Sequence, residues 1–108
     1  MKFKVNFIFD AENDLFEIYK YVYLNDSEER AEKLFDKLHQ KCLALQEIPQ
    51  RGHIPPELRL LEIEDFLEIH YKPYRIIYRI LNDEVFVHCI LDGRRDIQKL
   101  LEERLIRS

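Results

Sequence analysis

The chain has few glycines and prolines, which flexible linkers are rich in, and it has no long apolar run of the kind that membrane segments require. Its 108 residues include 2 glycines and 4 prolines, which leaves little material for flexible connections, so we expect one small domain over residues 1–108. No apolar run approaches the roughly 18–20 residues that a membrane-spanning helix needs. The start MKFKVNF lacks the apolar core of a signal peptide. We therefore expect a cytoplasmic protein that does not enter a membrane.

Cysteine is scarce too, and tryptophan is absent. The two cysteines, Cys42 and Cys89, have a spacing that matches no metal-binding pattern. The sequence thus predicts buried free thiols in a reducing compartment, with no metal and no cofactor. His39 and His53, on a predicted helix surface and in a predicted loop, have no evident partner. What is plentiful is apolar material, 46% of the residues with 12% aromatics, as in globular domains.

The charge is acidic overall and unevenly distributed. Residues 1–69 hold 9 Lys and Arg against 15 Asp and Glu, whereas residues 70–108 hold 8 against 6. The net charge of −4 argues against broad nonspecific binding of nucleic acid, which depends on many phosphate contacts. The slight basic excess of residues 70–108 is compatible with a local basic surface. Ordinary solvated charge explains the same counts equally well.

Two alternating segments lie at the centre of the predicted fold. Residues 74–81 and 84–91 alternate with period 2 and are rich in β-branched and aromatic side chains, which is typical of half-buried strands. Asn82 and Asp83 suit a two-residue hairpin turn. The resulting register pairs Arg79 with Phe86, Ile77 with His88 and Arg75 with Ile90. It places Val85, Val87, Cys89 and Leu91 on the apolar face, opposite Phe86, His88 and Ile90.

The remaining segments predict a small α+β fold. Residues 2–9 alternate as a strand with Phe9 on its buried side, and Asp10 fits an N-cap for a helix. Apolar residues at helical spacing indicate a helical hairpin over residues 11–48, whose second helix begins at a capping box of Asp26 and Glu29 and ends before Pro49. An extended piece is expected at residues 59–63.

A further strand is predicted at residues 66–71, and an amphipathic helix at residues 96–106. A tight turn at Lys72 and Pro73 pairs His70 with Arg75 and Glu68 with Ile77. The order is β-α-α-β-β-β-α, a small antiparallel-type sheet with the helical hairpin on its apolar face and a C-terminal amphipathic helix. The three consecutive strands agree about which face is buried, and this consistency supports the register.

The other sheet face carries polar side chains that suit chemistry on RNA. The register projects from it Glu68, His70, Arg75, Arg79 and His88, and Arg94 and Arg95 follow the last strand. Such a set can support phosphoryl transfer, in which a base takes the 2′-hydroxyl proton, arginines stabilise the phosphate charge and an acid protonates the leaving oxygen. The same residues also fit local ion pairs: Glu68 neutralising Arg75 or Arg79, His70 pairing with Arg75, and Asp92, Arg95 and Asp96 forming a salt-bridged turn that caps the last helix.

The pattern YRIIYRI, a short turn, a Val-rich strand, DGRRD and LLEERL resembles the RelE/ParE superfamily of toxins from type II toxin–antitoxin systems. The likeness extends back through Pro55, Pro56, Glu57 and Leu58 and through residues 66–71. It implies a toxin that a cognate antitoxin neutralises and that acts in plasmid stabilization. The target it implies is either DNA gyrase, as for ParE, or messenger RNA on the ribosome, as for RelE-type mRNA interferases.

The resemblance also suggests roles for residues. Arg75, directly after Tyr74, and Arg95, after the glycine that ends the last strand, match two arginines of RelE-type endonucleases. The two lysines of that constellation would fall near Phe66 and Glu68, and its tyrosine near Leu101; all three are absent. Some relatives use a glutamate and a histidine instead, which would make Glu68 the base and His70 or His88 the acid.

We therefore favour the ParE branch, with Arg75, Arg79, His88, Arg94 and Arg95 as the target-binding set. A ribosome-dependent endonuclease with Glu68, His70, Arg75 and Arg95 as catalytic residues is the first alternative. The second is a degenerate, non-toxic binding or autoregulatory module. An apolar groove at Leu100, Leu101 and Leu105 is expected to bind the antitoxin. The oligomeric state is left open.

Overall fold

The computed structural model, which describes residues 2–106, is a four-stranded sheet with helices on both faces. In chain order the elements are β1 (Lys4–Phe7), α1 (Phe9–Asn25), α2 (Glu28–Leu43), α3 (Pro56–Arg59), β2 (Leu67–Tyr71), β3 (Tyr74–Leu81), β4 (Glu84–Asp92) and α4 (Ile97–Leu101), with a π-helical turn over Glu102–Ile106. The strand order is β1-β4-β3-β2, and β1 lies parallel to β4. The predicted α+β class and element order are confirmed, with α3 as an addition. Among residues 2–106, no helix combines the length and apolar character needed to cross a membrane.

The helical hairpin forms as predicted, but its ends differ. Ile8 is the N-cap of α1, without a side-chain hydrogen bond, so the prediction for Asp10 is wrong; this carboxylate lies in the first turn, where it still favours the helix dipole. Phe9 belongs to α1 and is 79% exposed, not buried on a strand. Ser27 rather than Asp26 caps α2, because its hydroxyl accepts from the Arg30 N–H at 3.1 Å. Ile48 is exposed beyond the end of the apolar stripe.

The first core lies between this hairpin and the sheet. Ala11 and Leu15 of α1 and Leu38 and Cys42 of α2 repeat every four residues, so they share the inner stripe of each helix. They pack against buried side chains from three strands: Ile69, Ile76, Tyr78, Val85, Val87 and Ile90. The predicted pairing of β2 with β3 is confirmed, with His70 opposite Arg75 and Glu68 opposite Ile77.

A β-bulge in β4 changes the predicted register between β3 and β4. Arg79 pairs with Phe86 as expected, but Ile77 pairs with Cys89 and Arg75 with Leu91, so the pairings with His88 and Ile90 are wrong. The register shift leaves His88 as the extra residue of β4. Because side chains alternate along a strand, one extra residue exchanges the faces of everything after it. Ile90 therefore belongs to the hairpin core, and Cys89 and Leu91 to the opposite face.

Because the bulge turns Cys89 and Leu91 away from the helical hairpin, the second face of the sheet, opposite the hairpin, has its own apolar core. Its buried members come from α3, the residue before β2, the strands β3 and β4, and α4: Leu58, Phe66, Ile77, Cys89, Leu91, Ile97 and Leu101. Leu101 is 0% exposed, and Leu100 and Leu105 are partly buried against the same cluster. The predicted exposed groove is therefore wrong for Leu101, which is fully buried, whereas Leu100 and Leu105 keep partly exposed side chains. The extended piece expected at residues 59–63 is also wrong, because α3 and a turn with positive φ at Glu62 take its place.

The two cysteines are free and lie one in each core, both 0% exposed. Burial raises the pKa of Cys42 to about 12 and that of Cys89 to about 12. At pH 8 a thiol with such a pKa is ionised in about one molecule in ten thousand, and the thiolate is the reactive form. We expect the folded chain to resist a disulfide reagent such as Ellman's reagent for hours, and both thiols to react within minutes in guanidinium chloride. Rapid labelling of the folded protein would contradict the burial of these side chains.

Candidate functional site

On the second sheet face, two carboxylates converge on the guanidinium of Arg75. Arg75 of β3 donates from Nε to Oε1 of Glu68 at 2.6 Å and from Nη2 to Oε2 at 2.9 Å. The same guanidinium donates to both oxygens of Glu57 in α3, at 2.7 and 2.8 Å. The sequence indicated Glu68 as a partner of Arg75, whereas Glu57 was missed because α3 was not expected. Arg75 thus joins two carboxylates from two different elements.

This ion cluster is largely out of the solvent. The side chains of Glu68, Arg75 and Glu57 are 1%, 15% and 23% exposed. Hydrogen bonding to Arg75 holds the pKa of Glu57 below its usual value. The bonds to Glu57, together with those to Glu68, raise the pKa of Arg75 above its already high value. Glu57 is therefore ionised at neutral pH beside a permanent cation, and two carboxyl groups share one guanidinium.

Two histidines also contact the carboxylate of Glu68. Nε2 of His70, two residues along β2, is 3.2 Å from Oε1, and Nε2 of His53 is 3.2 Å from Oε2. The two rings meet edge to face with centroids 5.3 Å apart. His53 was predicted to be a solvated loop residue without a partner; its imidazole is indeed 59% exposed, but Glu68 is its partner. The link between His53 and Glu68 is spatial, and nothing in the spacing of the sequence indicates it.

The loop before β2 holds His53 in place. His53 and Glu68 exchange two backbone hydrogen bonds, of 3.1 and 2.7 Å. Gly52 permits this approach, since a Cβ there would lie 2.6 Å from the Glu68 carbonyl oxygen and 2.7 Å from the Tyr78 hydroxyl. That hydroxyl donates to the Pro49 carbonyl at 2.6 Å and accepts from the Gly52 N–H at 3.1 Å. The loop is thus tied to β2 and to the buried side of β3.

Arg79 and His88 form a separate group around Phe66. The Arg79 guanidinium lies 5.9 Å from the centroid of the Phe66 ring, and His88 meets that ring edge to face at 5.2 Å. Burial lowers the pKa of His88, and the positive charges of Arg79 and Arg104 lower it further. Among residues 2–106, neither side chain makes a hydrogen bond or ion pair with Glu68 or Arg75. The structure therefore does not join His88 to the predicted catalytic set.

The segment from Asp92 to Asp96, here called the arginine turn, lies at the end of β4. Asp92 accepts from the Arg94 side chain at 2.7 and 3.0 Å, and this contact lowers the pKa of Asp92. Asp96 caps α4 by accepting from the Lys99 N–H at 3.1 Å. The predicted salt-bridged, helix-capping turn is confirmed, with Arg94 rather than Arg95 as the partner of Asp92. The Arg95 side chain is exposed and makes no ion pair within the described residues.

The arginine turn borders an exposed aromatic surface. Tyr21 of α1, which is 68% exposed, and Tyr74 of β3 line the same shallow depression as Arg94 and Arg95. Gly93 fixes the turn against the β2–β3 connection by donating its N–H to the Pro73 carbonyl at 2.8 Å. Cationic and aromatic groups side by side, on a fixed turn, are suited to binding another macromolecule. We call this set of four residues the tyrosine–arginine surface.

Comparisons with known proteins agree with one another. Residues 7–97 match the model of a family described as the ParE toxin of the type II toxin–antitoxin system parDE. The fold is shared with the chromosomal ParDE system from P. aeruginosa, at 19% identity and a TM-score of 0.70 over 82% of this chain and 94% of that one. It is shared with the RelBE2 toxin–antitoxin complex from Mycobacterium tuberculosis, at 17% identity and a TM-score of 0.64 over 85% and 92%. A mutant of the E. coli toxin RelE in the free state has 16% identity and a TM-score of 0.64 over 99% and 98%. The comparison with curated protein sequences finds no match.

Proposed function

The chain belongs to the ParE toxin family of type II toxin–antitoxin systems, and from this premise we propose that it is a toxin neutralised by a cognate antitoxin and directed at DNA gyrase. The proposal places it in the cytoplasm, where gyrase works and where the reducing environment keeps cysteines such as these two as free thiols. Toxins of similar fold are found with antitoxins in the ParDE system and the RelBE2 complex, which supports pairing here as well.

The observation that carries the proposal is the engagement of Arg75. Cleavage of messenger RNA by the RelE route would need this arginine to hold a phosphate, yet four of its N–H bonds already point at Glu57 and Glu68. Glu68, the alternative base, is buried beneath the same guanidinium. Each proton-transferring group is worth roughly 10²–10⁴ in rate, and the position expected for the RelE tyrosine holds the fully buried Leu101. The ion cluster therefore favours a structural role over an endonuclease centre.

We assign target binding to the tyrosine–arginine surface. Arg94 is 75% exposed and Arg95 is exposed beside it, whereas Arg75 is engaged in the ion cluster and Arg79 and His88 pack on Phe66. Of the residues expected to bind the antitoxin, Leu100 and Leu105 retain partly exposed side chains. In this proposal the antitoxin contacts their outer edges, without Leu101.

The test is induced expression in a bacterium, read out as colony counts with and without the adjacent antitoxin gene, followed by supercoiling assays on purified gyrase. We expect the wild type to kill cells and inhibit gyrase, and Arg94→Ala/Arg95→Ala to lose both effects at an unchanged melting temperature. Arg59→Ala, another exposed arginine, is the matched control and should remain toxic.

Two results would replace the proposal by an alternative. Primer extension on a reporter transcript that shows new 5′ ends inside codons, absent with Glu68→Gln, would make the chain an endonuclease. Normal colony counts together with a stable antitoxin complex would make it a non-toxic binding or autoregulatory module.

A further inference from the structure

We propose that His53, Glu68 and His70 form a zinc-binding site, a property that neither the family membership nor the proposed action on gyrase requires. The two imidazoles and the carboxylate each offer one ligand atom, and these atoms all lie within 4.8 Å of one another. Two histidines and a glutamate are a familiar zinc ligand set, completed by water in the fourth position. The sequence predicted no metal because the ligands come from a loop and a strand, with no recognisable spacing.

The ligand atoms are close enough to be brought into tetrahedral coordination. Zinc bonds of about 2.0–2.1 Å to nitrogen and oxygen put neighbouring ligand atoms about 3.3 Å apart. Nε2 of His53 lies 3.2 Å from Oε2 of Glu68, and Nε2 of His70 lies 3.2 Å from Oε1. The two histidines approach different oxygens, and all the ligand atoms lie within 4.8 Å of one another. A single ion can therefore be reached by both imidazoles and the carboxylate after side-chain rotations that bring the ligand atoms to about 3.3 Å.

The local charge favours a cation. By formal charge, Glu57 and Glu68 contribute two negative charges against the one positive charge of Arg75. Arg75 holds Glu57 by two hydrogen bonds of 2.7 and 2.8 Å. Glu57 therefore still neutralises the charge of Arg75 when Glu68 binds zinc. The excess negative charge then belongs to a carboxylate that is 1% exposed, where the low dielectric strengthens its attraction for a metal ion.

The backbone that carries the ligands is fixed before any ion arrives. Backbone hydrogen bonds between His53 and Glu68, the close approach at Gly52 and the Tyr78 hydroxyl fix the loop against the sheet. Arg75 orients the carboxylate from behind, as outer-shell partners do in metal sites. The imidazoles are 59% and 46% exposed, so the ion and its water can enter from solvent. Imidazole ligands suit zinc rather than magnesium or calcium.

The test is calorimetric titration of the full chain, freed of any histidine tag, with zinc chloride. We expect one equivalent of zinc to bind and the melting temperature to rise with zinc concentration, with no such effect of magnesium. Cobalt chloride should give the visible absorption of a tetrahedral ion without a thiolate charge-transfer band, because both cysteines are buried.

Variants decide whether these residues are the ligands. His53→Gln and His70→Gln should each weaken zinc binding by more than about 100-fold, beyond the loss seen for outer-shell partners, and keep the zinc-free melting temperature within a few degrees. His39→Gln, whose ring stacks on Phe7 and Phe35, is the control and should bind zinc like the wild type. Three results would overturn the proposal. These are the absence of a one-equivalent transition, zinc binding by His53→Gln and His70→Gln that is as tight as that of the wild type, and a thiolate charge-transfer band with cobalt.

Discussion

Replacing Arg75 with alanine is expected to lower the free energy of unfolding by about 3–5 kcal/mol, because it leaves Glu68 buried and Glu57 half-buried without their cation. For a domain of this size the melting temperature should fall by at least about 12 °C. The measurement is thermal or urea unfolding followed by circular dichroism.

Arg95→Ala is the matched control for this experiment. Its side chain is exposed and outside the ion cluster, so the unfolding free energy should change by less than about 0.5 kcal/mol. Combining Arg75→Ala with Glu68→Gln should cost less than the sum of the two single changes, because the carboxylate charge left behind by the first is removed by the second. A cost below about 1 kcal/mol for Arg75→Ala would show that water reaches Glu68 and that the arginine is free for another role.

Asp14→Ala is expected to destabilise the protein by about 2–4 kcal/mol, because this carboxylate joins three elements. Oδ2 accepts from the backbone N–H of Ile90 in β4 at 2.9 Å, and both oxygens accept from Arg104 after α4, at 2.9 and 3.1 Å. Alanine would leave the Ile90 N–H without an acceptor and would leave Arg104, whose side chain is 21% exposed, with only the more distant Asp10 as counter-charge. Urea unfolding measures the loss.

Two further variants separate the parts of that effect. Asp14→Asn keeps an oxygen for the Ile90 N–H and removes the charge, so it should cost clearly less than Asp14→Ala. Asp10→Ala removes a 58% exposed carboxylate that lies 3.9 Å from the same arginine and should cost less than about 0.5 kcal/mol. Equal losses for Asp14→Ala and Asp10→Ala would show that the contacts of Asp14 are not made in solution.

The parts of the fold that follow local periodicity could be predicted from the sequence. The helical hairpin shows in the stripe that includes Leu15 and Leu38, and the β2–β3 register follows from alternation on either side of Lys72 and Pro73. The ion pair of Glu68 with Arg75 follows from that register and was among the pairings expected from the sequence.

Other features depend on tertiary packing that no local pattern records. Residues 84–91 alternate equally well with or without a bulge, so the displacement of Ile90 and Leu91 to new faces could not be foreseen. Glu57 became a partner of Arg75 through α3, a single turn of helix that begins at Pro56, directly after Pro55. His53 reaches Glu68 because a loop folds back across β2, and its contact is defined by Gly52 and Tyr78 rather than by neighbours in the sequence.

The bulge at His88 means that the length of β4 matters more than its composition. Exchanges among valine, isoleucine and leucine along this strand would preserve both apolar layers at a modest cost in packing. Deleting one residue there would return Cys89 and Leu91 to the side of the helical hairpin and turn Ile90 away from it. The C-terminal helix would then lose the surface against which Ile97 and Leu101 pack. Substitutions in β4 are thus tolerated where insertions and deletions are not, so related chains that retain both layers should align across this strand without gaps.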